Sequence, residues 1–229
     1  MNLWAHHFPL PALIGAWLLL AILLTVAAYL LPRQNIPPRS WLLAGVLVAL
    51  LWSIHAQMHG GEQAGMSYHL LGATLVTLVL GLPAALWLMT VMAVIYAVVF
   101  QGFANVSAVG LNMMCIVLPT LLLTDILLYL ARRTLPHHLF VFIFVNGFFA
   151  AALGMMFGGA LCLFLLDLAA AYPSEILWRR AFPVFFLLSW GEAFFTGLIT
   201  AVLVAFAPQL VVQYSDEMYL PQEKSLFDE

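Results

Sequence analysis

Five of the seven histidines, His6, His7, His55, His59 and His69, fall at the mouths of apolar segments that a topology reading places on one side of a membrane. Neutral imidazole is the commonest protein ligand for zinc, copper and nickel, so binding a transition metal is the chemistry these residues suggest. His55 and His59 stand four apart near the end of an expected helix, where i and i+4 share a face and both rings reach one ion. His69 follows ten residues later, beyond a Gly60-Gly61 turn able to fold it back toward the pair. His6 and His7 enter from the start of the first helix. The bland alternative is interfacial rings hydrogen-bonded to headgroups and water. Met58 and Met66 lie nearby; thioethers suit copper(I), but apolar filling explains them better. His137 and His138 fall in a loop assigned to the opposite face.

The elements that must position these rings are membrane helices. Hydrophobic residues make up 65% of the 229 and charged residues 7%, against about a quarter charged in soluble domains. Backbone inside hydrocarbon must satisfy itself, and the ten-residue alternation of a β-barrel is absent, which leaves an all-α, polytopic helical bundle. Spans are expected from about Pro11 to Leu31, Trp41 to Met58, Tyr68 to Leu80 (short), Ala84 to Phe100, Ala108 to Leu130, Leu139 to Leu168 and Ala181 to Phe206. Residues 1–208 form the membrane domain. The segment from Gln209 to Glu229, with five acids against Lys224, reads as an acidic, poorly ordered tail. Met1 to Leu10 lack a basic n-region and a cleavage pattern, so no removable signal peptide is expected.

An outer N-terminus places Arg33, Arg39, Arg132, Arg133 and Lys224 in the cytoplasm and only Arg179 and Arg180 outside, as the positive-inside rule favours. The C-terminus is then cytoplasmic. Glu192, in Trp190-Gly191-Glu192-Ala193, is an acid deep in the last helix, with either a structural or a relay role. Asp125 and Asp167 lie nearer helix ends. Cys115 and Cys162 lack CxxC spacing and read as packing residues. No GxxxxGK[ST] loop, GxSxG, HExxH or dinucleotide fingerprint is present, so the sequence offers no ATPase or hydrolase machinery of those kinds.

The run Gly65-Met66-Ser67-Tyr68-His69-Leu70-Leu71-Gly72 resembles the G-T-S-x-H-L-L-G segment of the cobalt/nickel substrate-binding membrane subunit (CbiM/NikM type) of energy-coupling factor ABC transporters. Leu80-Gly81-x-Pro83-Ala84-Ala85, Ala108-x-Gly110-x-Asn112 and Gly191-Glu192-x-x-x-Thr196-Gly197-x-Ile199-Thr200-Ala201 are similar too. So is the opening Met1-Asn2-Leu3 with Phe8-Pro9. The resemblance implies a multi-pass permease of the bacterial inner (cytoplasmic) membrane that captures a divalent ion at the outer face. It would work with a transmembrane coupling protein and two cytoplasmic ATPases, and with no nucleic acid.

It also implies that the ion is held by the free amino terminus of Met1, by the second residue and by the histidine at His69. Asn2 stands where the family has a histidine, so that imidazole is missing and His6, His7, His55 or His59 becomes its candidate replacement. The substrate is nickel or cobalt by resemblance, with copper and zinc also open. Two further classes compete with a transport subunit. One is a non-transporting membrane metal-binding or assembly factor, which Asn2 would suit. The other is a metal-dependent membrane enzyme, disfavoured by a single HxxxH.

Overall fold

Long apolar runs punctuated by Pro and Gly build the fold, seen in a computed structural model that describes residues 3–31 and 35–220. Five helices are long and apolar enough to cross a membrane: α1 (Leu10–Leu30), α4 (Leu82–Gln101), α5 (Phe103–Thr134), α6 (Leu139–Leu168) and α7 (Ser174–Phe206). Among the described residues, the shorter apolar α2 (Pro38–Ser53) and the eight-residue α3 (Ala73–Leu80) lie where the sequence placed the second and third helices. Prolines stand in the first two positions of α1, α2 and α4, where the missing N–H has no intrahelical partner to lose. Gly81, at φ 81°, makes the break between α3 and α4 in a conformation that other residues avoid. A hairpin of β1 (Ala56–Gln57) and β2 (Ser67–Tyr68) bridges α2 and α3.

Small residues let the helices approach closely. Thr120 of α5 donates from its hydroxyl to Gly154 O of α6 at 3.0 Å, and a methyl group on Gly158 would sit 2.9 Å from Ile116 O. Without a hydrophobic drive between helices in lipid, such contacts supply the adhesion. Every residue of α3 is buried, with α2, α4, α5, α6 and α7 packed against it. By contrast, α1 turns Leu18, Leu19, Ile22 and Val26 outward.

The two ends of the bundle differ. At one, Trp52 of α2 and Tyr96 of α4 pack beside the hairpin. At the other, the Ser40 hydroxyl donates to Leu210 O, and Val212 and Gln213 donate their N–H groups to Val79 O and Leu78 O. Thus residues 209–220, which the sequence assigned to the tail, are partly embedded: Val211, Tyr214 and Tyr219 are buried. The two tyrosine rings stack on each other and meet Phe142 edge-on, which anchors the segment. Residues 221–229 and Lys224 among them lie outside the described residues, as does Arg33.

Four boundaries differ most from expectation. Helix α2 stops at Ser53 rather than Met58, because Ile54 leaves helical geometry and the chain enters the hairpin. Helix α3 begins at Ala73, not Tyr68. Helices α5 and α7 start earlier than expected, since loop-like 103–107 and 174–180 wind into their first turns.

Candidate metal-binding site

The hairpin places the histidines. Its register pairs Ala56 with Tyr68 and Gln57 with Ser67, so His55 and His69 occupy the next facing positions beyond the ladder. The helical face expected for His55 and His59 does not exist, because both lie past the end of α2. His59 is exposed near the hairpin tip, whereas His55 is turned toward Tyr96 and Phe100, with ring centroids 5.9 and 4.9 Å away.

His69 packs against Trp52 and Tyr96 at centroid distances of 5.5 and 5.4 Å. Its Nδ1 lies 2.9 Å from Leu70 O; a carbonyl only accepts, so Nδ1 carries the proton and Nε2 the lone pair. The ring also borders a cavity of about 30 Å³ shared with Ser67, Leu71, Met155 and Phe185. That is room for a water or a bare ion. Burial is the main cause that drives the His69 pKa down to about 3, so the imidazole is neutral, as a metal ligand must be.

Glu192 holds the segment that follows. Its Oε2 accepts from Leu71 N at 2.7 Å and its Oε1 from Gly72 N at 2.6 Å. Leu71 O accepts from Trp52 Nε1 at 3.0 Å. Non-helical backbone buried in a membrane bundle is stable only when its polar groups find protein partners, and these contacts supply them. Gly72, at φ 70°, turns the chain from this extended stretch into α3.

An N-terminal arm, residues 3–5, enters beside the hairpin. Leu3 is fully buried; its N–H donates to Asn112 Oδ1 at 3.2 Å, and Asn112 Nδ2 donates back to Leu3 O at 2.8 Å. Ala5 N–H donates to Asn105 Oδ1 at 2.7 Å, and Trp4 Nε1 to Gly65 O at 2.8 Å. Sequence reasoning matched Asn112 only as part of a pattern and missed Asn105, Trp4 and Tyr96. Two asparagines in the opening turns of an apolar helix were the available signal, since buried amides need partners.

His6 and His7 follow the arm, with ring centroids 4.1 Å apart and His7 5.7 Å from Tyr172. They line an open cleft with Trp4, Gln57 and Gly65. Burial, then neighbouring His6, lowers the His7 pKa. Among the described residues no three His, Cys, Asp or Glu side chains come together as a ready metal cage. The five histidines therefore form two groups, His55/His69 and His6/His7, with His59 apart. Met1 and Asn2 lie outside the described residues. His137 and His138 sit at the opposite end, bonding Arg132 O and capping Phe140 N. Cys115 and Cys162 are both free thiols.

This arrangement defines a polytopic helical membrane protein with a half-buried, neutral histidine held at the mouth of a short helix. Residues 2–210 match the CbiM family, described as the cobalt uptake substrate-specific transmembrane region, and the chain belongs to it. Among solved structures the fold is similar to a truncated transition metal transporter, at 16% identity and a TM-score of 0.70, covering 90% of this chain and 97% of that one. No curated protein matches the chain.

Proposed function

We propose that this chain is the substrate-capturing membrane subunit of an energy-coupling factor type uptake transporter for a divalent transition metal ion. The observation that carries this reading is His69, neutral and locked in one tautomer, beside the hairpin that the N-terminal arm joins through Trp4 Nε1 and Gly65 O. In the proposal His69 Nε2 is a ligand, and Met1 and the Asn2 backbone supply further nitrogens. His55, facing His69 across the hairpin, replaces the imidazole that Asn2 lacks. The ion enters on the hairpin side, which is the outer face, and leaves through work done by a coupling protein and two ATPases. Cobalt is the leading substrate and nickel the next, since nitrogen donors suit both.

Asn2 is also the observation that favours a second reading, a metal-binding subunit that no longer transports. Elemental analysis and calorimetric titration of the purified protein with cobalt, nickel, copper and zinc test both. About one equivalent of ion is expected. His69→Ala should weaken binding more than about 100-fold, because loss of even outer-shell partners costs about 10–100-fold. Equal retention by wild type and His69→Ala overturns the site. Binding without uptake, and without ATPases in the purified complex, selects the second reading.

A further inference from the structure

The motif around Glu192 contains more than the carboxylate. Glu192, Thr196 and Thr200 recur every four residues along α7 and are all buried, so they form one polar stripe through the membrane interior, about 6 Å per step. Glu192 is occupied with the His69 segment. Two steps along, Thr200 Oγ1 is buried and lacks a protein hydrogen-bond partner among the described residues.

Gly147 of α6 packs against Thr200, and Asn146, the residue before it, is fully buried with neither its Oδ1 nor its Nδ2 partnered among the described residues. The close approach is direct: a methyl group on neighbouring Gly147 would lie 3.4 Å from Thr200 Oγ1. Residues Phe142–Phe149 wind as widened π turns, the longest of four such stretches among the described residues. An amide left unsatisfied at this depth is costly, and on the packed helix the Thr200 hydroxyl is equally unsatisfied. One turn further, Phe142 is covered by Tyr214 and Tyr219 of the C-terminal segment.

We propose that Asn146 and Thr200 form an inner polar site that binds water and, during transport, the hydrated divalent cation after it leaves His69. Thr196 lies between this site and Glu192 on the same buried face of α7. Neutral amide and hydroxyl groups suit this step, since they hold an ion's water shell without trapping the ion. The cation half of the proposal rests on the metal-uptake reading; the water half does not.

Cysteine accessibility tests it in the full-length protein with Cys115 and Cys162 replaced by Ala. Silver ion added to Asn146→Cys in lipid nanodiscs should titrate the thiol at least about tenfold faster than it titrates Phe149→Cys, which faces lipid, because only a hydrated thiol forms the reactive thiolate. An inert Asn146→Cys overturns the inner site, whatever the protein's metal affinity. Asn146→Leu should leave cobalt binding by the purified protein within about twofold of wild type and reduce cellular cobalt uptake at least about tenfold, while Asn146→Ser retains uptake. Unchanged uptake in Asn146→Leu overturns the cation role. If the wild type itself binds no transition metal, the uptake reading fails and silver reactivity still decides hydration.

Discussion

Helices α1 and α3 are both apolar along their length, yet they occupy opposite environments. Helix α1 has 21 residues and presents most of them outward, whereas all eight residues of α3 are buried. In water an all-apolar helix must be interior. In a bilayer composition no longer sorts inside from outside, and what marks α3 is the supply of partners at its ends. Glu192 serves the two residues that lead into it, and Val212 and Gln213 serve its last carbonyls. The polar contacts, not hydrophobicity, decide where a helix belongs here.

The largest expected effect breaks the α3 side of that contrast. Glu192→Ala leaves two buried N–H groups without their acceptor and should destabilise the protein by about 3 kcal/mol or more, at about 1.5–3 kcal/mol for each bond to a charged group. Leu18→Ala on the outward face of α1 should stay within about 0.5 kcal/mol. Thermal unfolding in detergent measures both, and similar losses would erase the distinction. Glu192→Gln, which keeps one acceptor, should fall between them.

A glycine pair sharpens the comparison at smaller scale. Gly72→Ala places a methyl 2.9 Å from Leu51 Cδ1 in a left-handed residue and should cost about 2 kcal/mol. Gly15→Ala in α1 meets nothing within 4 Å and should be neutral or stabilising by up to about 1 kcal/mol, as helix propensity dictates. Midpoints of thermal unfolding that move in the same direction would show that the two backbones are not under different constraints.

The smallest effect is pH dependence. His69 has a folded pKa depressed to about 3 from the 6.5 of a free imidazole. The unfolded chain therefore takes up the proton first. Stability from this group is complete above about pH 6.5 and declines as pH falls toward 3. Acidification from pH 7.5 to 5.5 should cost about 1 kcal/mol, and His69→Gln should remove that part of the loss. An identical acid response in the two proteins would show that His69 is hydrated rather than buried.

Much of this was legible from the sequence. Hydropathy gave the seven helices, Gly81-Leu82-Pro83 gave the break after a short third helix, and Glu192 stood out as a buried acid with a structural or relay role. What failed was local: His55-x-x-x-His59 satisfied helical spacing, but the chain had already left α2 at Ser53. Spacing alone cannot see a two-residue ladder, whose evidence is the partner strand ten residues away. The arm's anchors were illegible for a related reason. Asn112 lies 109 residues from Leu3, and nothing near either residue encodes the other.

Those long separations impose an order on synthesis. Helix α3 leaves the ribosome early, but the carboxylate that satisfies its entry comes about 120 residues later, and the amides that meet Leu78 O and Val79 O come later still. Until then the segment is a short apolar stub with open ends, a poor resident of lipid. The nascent chain must keep it sheltered, against the translocation machinery or against α2 and α4, and its final seat is assembled only when the last helix and the residues after it arrive.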